Sequence, residues 1–201
     1  MDLFARLEKG VRRLSFIDKR LRRQLPLPLT INGVIYRFLS KDDSIEELTS
    51  LINSAYTVFK KEGLNYKGVS QNSSDTLKRL RHSYTIVALA DNRIIGTISY
   101  KPHWECRGTD WYNRKKVAKF NQLAVAPEFQ KTGIGGKLLG IVETIAFRQG
   151  AMDLALDTSE DAHSLISYYK KRSYRFIGFH RWKFANYRSV ILSKNLEEGS
   201  K

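Results

Sequence analysis

Apolar positions along this chain change their period several times, and each change marks an element. At Ile134, Leu138, Leu139, Val142, Ile145 and Ala146 they recur in steps of three and four, the spacing of a helix with one buried stripe. Just upstream, Leu123, Val125 and their neighbours read as a buried strand, and Pro127 stops its ladder. Between strand and helix, Gly133, Gly135 and Gly136 form a loop where a ligand can approach the backbone. Tyr84 to Ala90 and Ile94 to Tyr100 are apolar runs joined by Asp91-Asn92-Arg93, which predicts a hairpin. Ile31 to Phe38 reads as a first strand, and Asp42, Asp43 and Ser44 supply a cap for a helix through Ile45, Leu48, Leu51, Ile52 and Tyr56.

Tyr66 to Asp75 is polar and loop-like, with a short helix expected after it through Leu77 and Leu80. Met152 to Asp157 reads as a short buried strand, and Thr158 to Asp161 offers helix-start chemistry for Ala162, Leu165, Ile166 and Tyr169. Tyr174 to Phe184 alternates, placing Tyr174, Phe176, Trp182 and Phe184 on one face and Arg175, Arg181 and Lys183 on the other. A last strand, Tyr187 to Ser193, is expected to close the sheet.

Composition adds bounds. A chain of 201 residues is most simply one domain with a single core. Its one cysteine, Cys106, has no internal partner for a disulfide, and no Cys/His cluster has zinc spacing, so a reducing compartment and no metal are expected. Neither a signal-peptide pattern nor a membrane-length apolar run occurs, and a cytoplasmic location is expected. Residues 1–30 form a basic arm with helical apolar spacing at Leu3, Phe4, Leu7, Val11 and Leu14, ended by Pro26 and Pro28.

The formal net charge of +15 favours an acidic partner such as nucleic acid, an acidic peptide or a membrane surface, and disfavours a polycationic substrate. Simple solubility is an equally good reading of that charge. Between Asp161 and Glu197 there is no acidic residue, while Lys170, Lys171, Arg172, Arg175, Arg181, Lys183, Arg188 and Lys194 occur among aromatics. Such a surface could track a nucleic-acid backbone. A solvated basic face over core aromatics is favoured, because no recognised nucleic-acid module accompanies it.

The glycine loop sits at the positive end of a helix, a cradle for phosphate. It is not a Walker A loop, because Lys131 and Leu138 stand where that motif needs Gly and Ser or Thr. Nor is it a dinucleotide fingerprint, because Leu138 stands at the third glycine. Gln130-Lys131-Thr132-Gly133-Ile134-Gly135, after a strand ending in Val-x-Pro and before an amphipathic helix, resembles the Q/R-x-x-G-x-G/A signature of the GNAT superfamily of N-acetyltransferases. Tyr169 to Tyr174 similarly resembles that family's Y-x-x-x-G-F/Y element, and the likeness spans about Ile31 to Leu196.

The resemblance implies an α/β (α+β) acyl-CoA N-acyltransferase fold, with a mixed, mostly antiparallel sheet of about seven strands flanked by helices. Residues 31–196 would be the acetyltransferase domain and 197–201 a tail. It implies acetyl-CoA as cosubstrate, held by Leu123, Ala124 and Val125 along the strand. Gln130, Lys131, Thr132, Gly133, Ile134, Gly135, Gly136 and Lys137 would hold its pyrophosphate. Tyr169 would protonate the departing thiolate, with Tyr168 as the alternative register; a phenol of pKa about 10 can donate to a thiolate whose thiol pKa is about 8.5. Ser173 replaces the family's glycine and Ala162 a frequent asparagine. The central strand offers no carboxylate base, leaving Glu105, His103, Asp157 or an ordered water.

The aromatic, charged segment Pro102 to Lys116 either lines the acceptor pocket or is a surface insertion. An N-acetyltransferase acting on an unidentified small-molecule or peptide amine is the expected function. An RNA-associated acetyltransferase and a non-catalytic CoA-binding module are the alternatives, and oligomeric state, a homodimer included, is left open.

Overall fold

The structure, a computed structural model, describes residues 27–197. The expected helix of the basic arm therefore lies outside the described residues, apart from the arm's last few positions. The stretch read as one strand is a hairpin. Strands β1 (Leu29–Ile31) and β2 (Val34–Phe38) are joined by Asn32-Gly33, whose φ values are 49° and 77°. Positive φ at both turn residues is what a two-residue hairpin requires, and Asn-Gly supplies it. Helix α1 (Ile45–Lys61) then starts where expected, with the Glu47 N–H donating to Ser44 Oγ at 3.0 Å.

The stretch expected to be a loop instead contains α2 (Lys67–Ser70) and the first turn of α3 (Ser73–Leu80). Asn72 and Asp75, which read as loop residues, form a reciprocal capping box at that start. The hairpin of β3 (Tyr84–Ala90) and β4 (Arg93–Lys101) turns at Asp91 and Asn92, both at positive φ. Next come β5 (Val117–Val125), α4 (Ile134–Arg148), β6 (Asp153–Ser159), α5 (His163–Lys170), β7 (Arg175–His180) and β8 (Ser189–Asn195).

All eight strands form one sheet in the order β1-β2-β3-β4-β5-β6-β8-β7, antiparallel except where β5 meets β6. The eighth strand arises from the β1–β2 hairpin. The last strand does not close the sheet. β8 lies between β6 and β7, and β7 is the edge.

The faces explain the sequence pattern. On β3, Ile86 and Ala88 pack with the Leu138 and Val142 side of α4, while Val87 and Leu89 pack with Leu48 and Ile52 of α1. Both faces are covered, so the strand reads as a continuous apolar run. Every residue of the helical stripe from Ile134 to Ala146 is buried. Helix α4 lies close on β4 at Gly96, where a Cβ would come within 3.1 Å of Ile134 Cγ2 and Leu138 Cδ1.

Beyond β5, no helix among the described residues covers one face of β6 and β8. The segment between β4 and β5 covers it, with Cys106 and Tyr112 buried against Val117, Ala155 and Ile191. Burial raises the Cys106 thiol to about 11. The expected aromatic face of Tyr174 to Phe184 does not form. Tyr174 is buried, but Phe176, Phe179 and Phe184 are half or more exposed. A bulge between Phe176 and Gly178 breaks the alternation, and the chain leaves the sheet after His180. Among the described residues no helix is long and apolar enough to cross a membrane.

Candidate active site

The site begins where the sheet comes apart. β5 pairs with β6 in parallel only from Val117 to Lys119, against Asp153 to Ala155, and beyond that the two strands have no ladder between them. From Phe120 onward one edge of β5 is therefore open. A bulge sits on this free stretch: Thr97 pairs with Ala124 and Ser99 with Asn121, so Gln122 and Leu123 together face Ile98. Gln122 takes φ 53°, a conformation costly for a residue with a Cβ. Its Oε1 accepts a bond of 3.0 Å from Arg79 Nε, which anchors the side chain on α3.

Two cavities open into this wedge. One, of about 540 Å³, runs from Leu123, Ala124 and Val125 to the glycine loop, and Gln130, Lys131, Gly133, Gly135 and Gly136 line it. The other, of about 810 Å³, lies between β5, β6 and α3. Tyr56, Leu123, Leu165 and Tyr169 line both.

The loop is built to leave donors free. Lys131 and Gly133 adopt positive φ, and Gly133 caps α4 without any side-chain bond to its first N–H groups. Thr132 Oγ1 instead donates to the Phe129 carbonyl at 2.7 Å, and Gln130 Nε2 to the Val125 carbonyl at 3.1 Å, which fixes the loop to the strand end. A Cβ at Gly133 would meet nothing, and at Gly135 or Gly136 only ordinary contacts. These glycines are not needed to pack protein against protein. The space above them is open, as a cradle for an anion requires. Ile134 buries its side chain in the core, and Thr132, Ile134 and Lys137 do not line the cavity.

Arg172, which sequence reasoning assigned only to the basic surface, lines the cradle and the smaller cavity beyond it. Its guanidinium lies 3.7 Å over the Tyr168 ring and donates to the Tyr168 carbonyl at 3.2 Å. The charge run Lys170-Lys171-Arg172 was visible in the sequence, but nothing local said which of the three turns inward.

Neighbouring tyrosines occupy different places. The Tyr168 hydroxyl stands by the glycine loop, 3.6 Å from where a Gly135 Cβ would be. Tyr169 is 5% exposed and packs by its ring on Phe120, Tyr168 and Tyr174. Among the described residues its hydroxyl has no hydrogen-bond partner. Burial first, and then Tyr56, Tyr168 and Tyr66, push its pKa well above 10, so it holds its proton. After α5, Ser173 takes φ 68°, and the Ser173 and Tyr174 N–H groups bond the Lys170 and Tyr169 carbonyls. The serine thus occupies the left-handed position that glycine usually fills.

Of the side chains considered as bases, Asp157 of β6 lines the larger cavity and His103 and Glu105 do not. Asp157 accepts from Tyr112 Oη at 2.7 Å and from Trp182 Nε1 at 2.9 Å, so its carboxylate is held in place. Burial lowers the His103 pKa, and Glu105 faces His82 at 3.5 Å. Among the described residues no group of three His, Cys, Asp or Glu side chains could hold a metal ion.

The family model for the acetyltransferase (GNAT) family matches residues 45–174. S-alkylcysteine N-acetyltransferase of Bacillus subtilis strain 168 is 28% identical over 143 residues, covering 70% of this chain and 78% of that protein. S-(2-succino)cysteine N-acetyltransferase of the same strain is 28% identical over 141 residues, covering 69% and 82%. Among solved structures, a GNAT family acetyltransferase from Elizabethkingia anophelis with acetyl-CoA bound superposes with a TM-score of 0.58 at 17% identity, over 82% of this chain and 99% of that one.

Proposed function

The chain belongs to the acetyltransferase (GNAT) family, and from that premise we propose that it transfers the acetyl group of acetyl-CoA to the primary amine of a small molecule. The observation that carries this reading is the Tyr169 side chain, which borders both the cavity of the glycine loop and the larger cavity beside it.

Acetyl-CoA, when bound, supplies an activated thioester. The N–H groups at the start of α4, from Gly133 to Gly136, hold its pyrophosphate, and Arg172 adds a cation beside them. Backbone groups of Leu123, Ala124 and Val125 on the open edge of β5 hold the arm that leads to the reacting carbon. The amine enters from the larger cavity and attacks the carbonyl carbon directly. A new C–N bond forms, the C–S bond breaks, and the proton lost by the amine passes to Asp157 or through it to water. Tyr169 gives its own proton to the departing sulfur and regains one from solvent. A protein nucleophile is not required. The two relatives named above act on S-substituted cysteines, which supports an amino-acid-like acceptor here.

A calorimetric titration with acetyl-CoA tests the cradle. Binding is expected in the parent and lost in Gly135→Glu, whose carboxylate would fill and repel the phosphate site. CoA thiol release is then followed across a panel of primary amines that includes S-alkylcysteines. Release with none of them, in protein that binds acetyl-CoA, would overturn the reading as an amine acetyltransferase.

A further inference from the structure

The larger cavity is strongly cationic. Among the described residues, Lys67, Lys78, Arg79, Lys101, Arg107 and Lys119 line it against a single carboxylate, Asp157. None of these six borders the glycine-loop cavity, so the surplus positive charge is not there for the phosphates of the cosubstrate. It faces the acceptor.

Arg79 is the most telling of them. Its Nε is committed to Gln122, while neither Nη makes a hydrogen bond among the described residues. Burial pulls its pKa below the ordinary value of arginine, which marks a cation short of solvent. Among the described residues no carboxylate forms an ion pair with it. Asp75 is engaged in the cap of α3 and faces Lys67 at 3.6 Å, and both Asp157 oxygens are taken by Tyr112 and Trp182. The uncommitted fork of a guanidinium matches a carboxylate in two-point fashion.

A second observation comes from the sheet. Lys101 of β4 and Lys119 of β5 are direct cross-strand partners, an arrangement that repels. Neither has an ion-pair partner among the described residues. Burial, and after it the charge of Lys119, lowers the Lys101 pKa. The Lys119 ammonium rests 4.5 Å over the Tyr112 ring. An anion between these two lysines would relieve their repulsion.

We propose that the acceptor is an acidic amino acid or amino-acid derivative, with its α-carboxylate held by Arg79 and a second anionic group at Lys101 and Lys119. Asp157 then faces the amine. This assignment rests on the amine-acetyltransferase reading above and narrows it to one substrate class. Gln122 becomes a positioning residue, because the strained bulge presents its amide oxygen to Arg79 Nε and leaves the fork free.

Three matched probes test it in the full chain with saturating acetyl-CoA: S-(carboxymethyl)-L-cysteine, S-propyl-L-cysteine and 2-(propylthio)ethylamine. The expected order of kcat/KM is the order in which they are named, with each lost carboxylate costing roughly 10-fold or more. Arg79→Gln is expected to raise KM for both amino acids by roughly 10- to 100-fold more than for the amine that lacks a carboxylate. Arg79→Lys should recover part of the loss. Lys101→Gln with Lys119→Gln should erase the preference for the carboxymethyl compound over the propyl compound. Equal kcat/KM for all three probes, or an Arg79→Gln defect shared equally by them, would overturn the proposal. Should none be acetylated, the same three are titrated calorimetrically into CoA-loaded protein. Tighter binding of the diacid that Arg79→Gln weakens supports the acidic class even though the transferase reading has failed, whereas equal binding or none refutes both.

Discussion

Replacing Tyr169 by Phe removes one oxygen and little else, and so isolates the proton that the proposed chemistry needs. The ring is 5% exposed and packed against Phe120 at 5.8 Å, Tyr174 at 5.7 Å and Tyr168 at 5.2 Å between centroids, contacts that phenylalanine keeps. The hydroxyl has no protein partner among the described residues, so its loss strands no buried donor or acceptor. The change in stability is expected to stay under about 0.5 kcal/mol. Binding of acetyl-CoA should be equally indifferent, because no Tyr169 atom is among the nearest neighbours of the loop glycines proposed to hold its phosphates.

The chemical step should not be indifferent. General acid catalysis contributes typically 10²- to 10⁴-fold, and a thiolate of pKa about 8.5 is a fair leaving group even unprotonated. The lower end therefore applies: about 10²-fold, or about 2.7 kcal/mol of barrier. Single-turnover measurement of acetyl transfer, with CoA thiol release as the readout, keeps product release from hiding the effect. A thermal melt and a calorimetric Kd for acetyl-CoA serve as controls. The parent should lose no activity from this phenol as pH rises toward 10, since burial holds its pKa well above that. Transfer within twofold of the parent, with binding and stability intact, would remove Tyr169 as the acid. A tenfold or greater loss in Tyr168→Phe with none in Tyr169→Phe would move the role to its neighbour by the glycine loop.

Two further expectations concern the fold. Ser173 sits at φ 68° after α5, so Ser173→Gly should stabilise the protein by about 0.5–1 kcal/mol and raise Tm by about 1–3 °C in a thermal melt; a lower Tm would contradict the strain argument. Arg37 grips Asp43 with two bonds of 2.7 Å, and the Ser40 N–H adds a third at 2.6 Å. Burial alone would raise the Asp43 pKa, but these bonds bring it below its ordinary 3.8. A depressed carboxylate stabilises above its unfolded pKa and loses that contribution as pH falls through the folded one. Asp43→Asn should therefore cost about 1–2 kcal/mol in denaturant unfolding at pH 7, and the deficit should shrink below pH about 4. A deficit independent of pH would assign the loss to packing.

What the sequence determined by itself is the part governed by neighbours in the chain. The stripe from Ile134 to Ala146, the Ser44 cap, the Asp91-Asn92 turn and the succession of strand, glycine loop and helix are set by residues a few positions apart. They appear at the expected places. So do the loop glycines, which stand at the start of that helix. Even two of the misread stretches carried their own local signals, Asn32-Gly33 for the hairpin and Asn72 with Asp75 for the capping box.

Tertiary structure alone decided the rest, because it depends on which distant segments pair. The three-residue contact of β5 with β6, which opens the wedge, is a matter of register between segments more than thirty residues apart. The insertion of β8 between β6 and β7 turned aromatics that read as core into an exposed edge. The segment before β5 became a wall of the core because Cys106 and Tyr112 pack on Val117, Ala155 and Ile191. Arg79 and the Lys101–Lys119 pair carry no local signal in the sequence. They converge on one cavity because α3, β4 and β5 meet there, and an electrostatic site of that kind is a property of distances in space that no local pattern encodes.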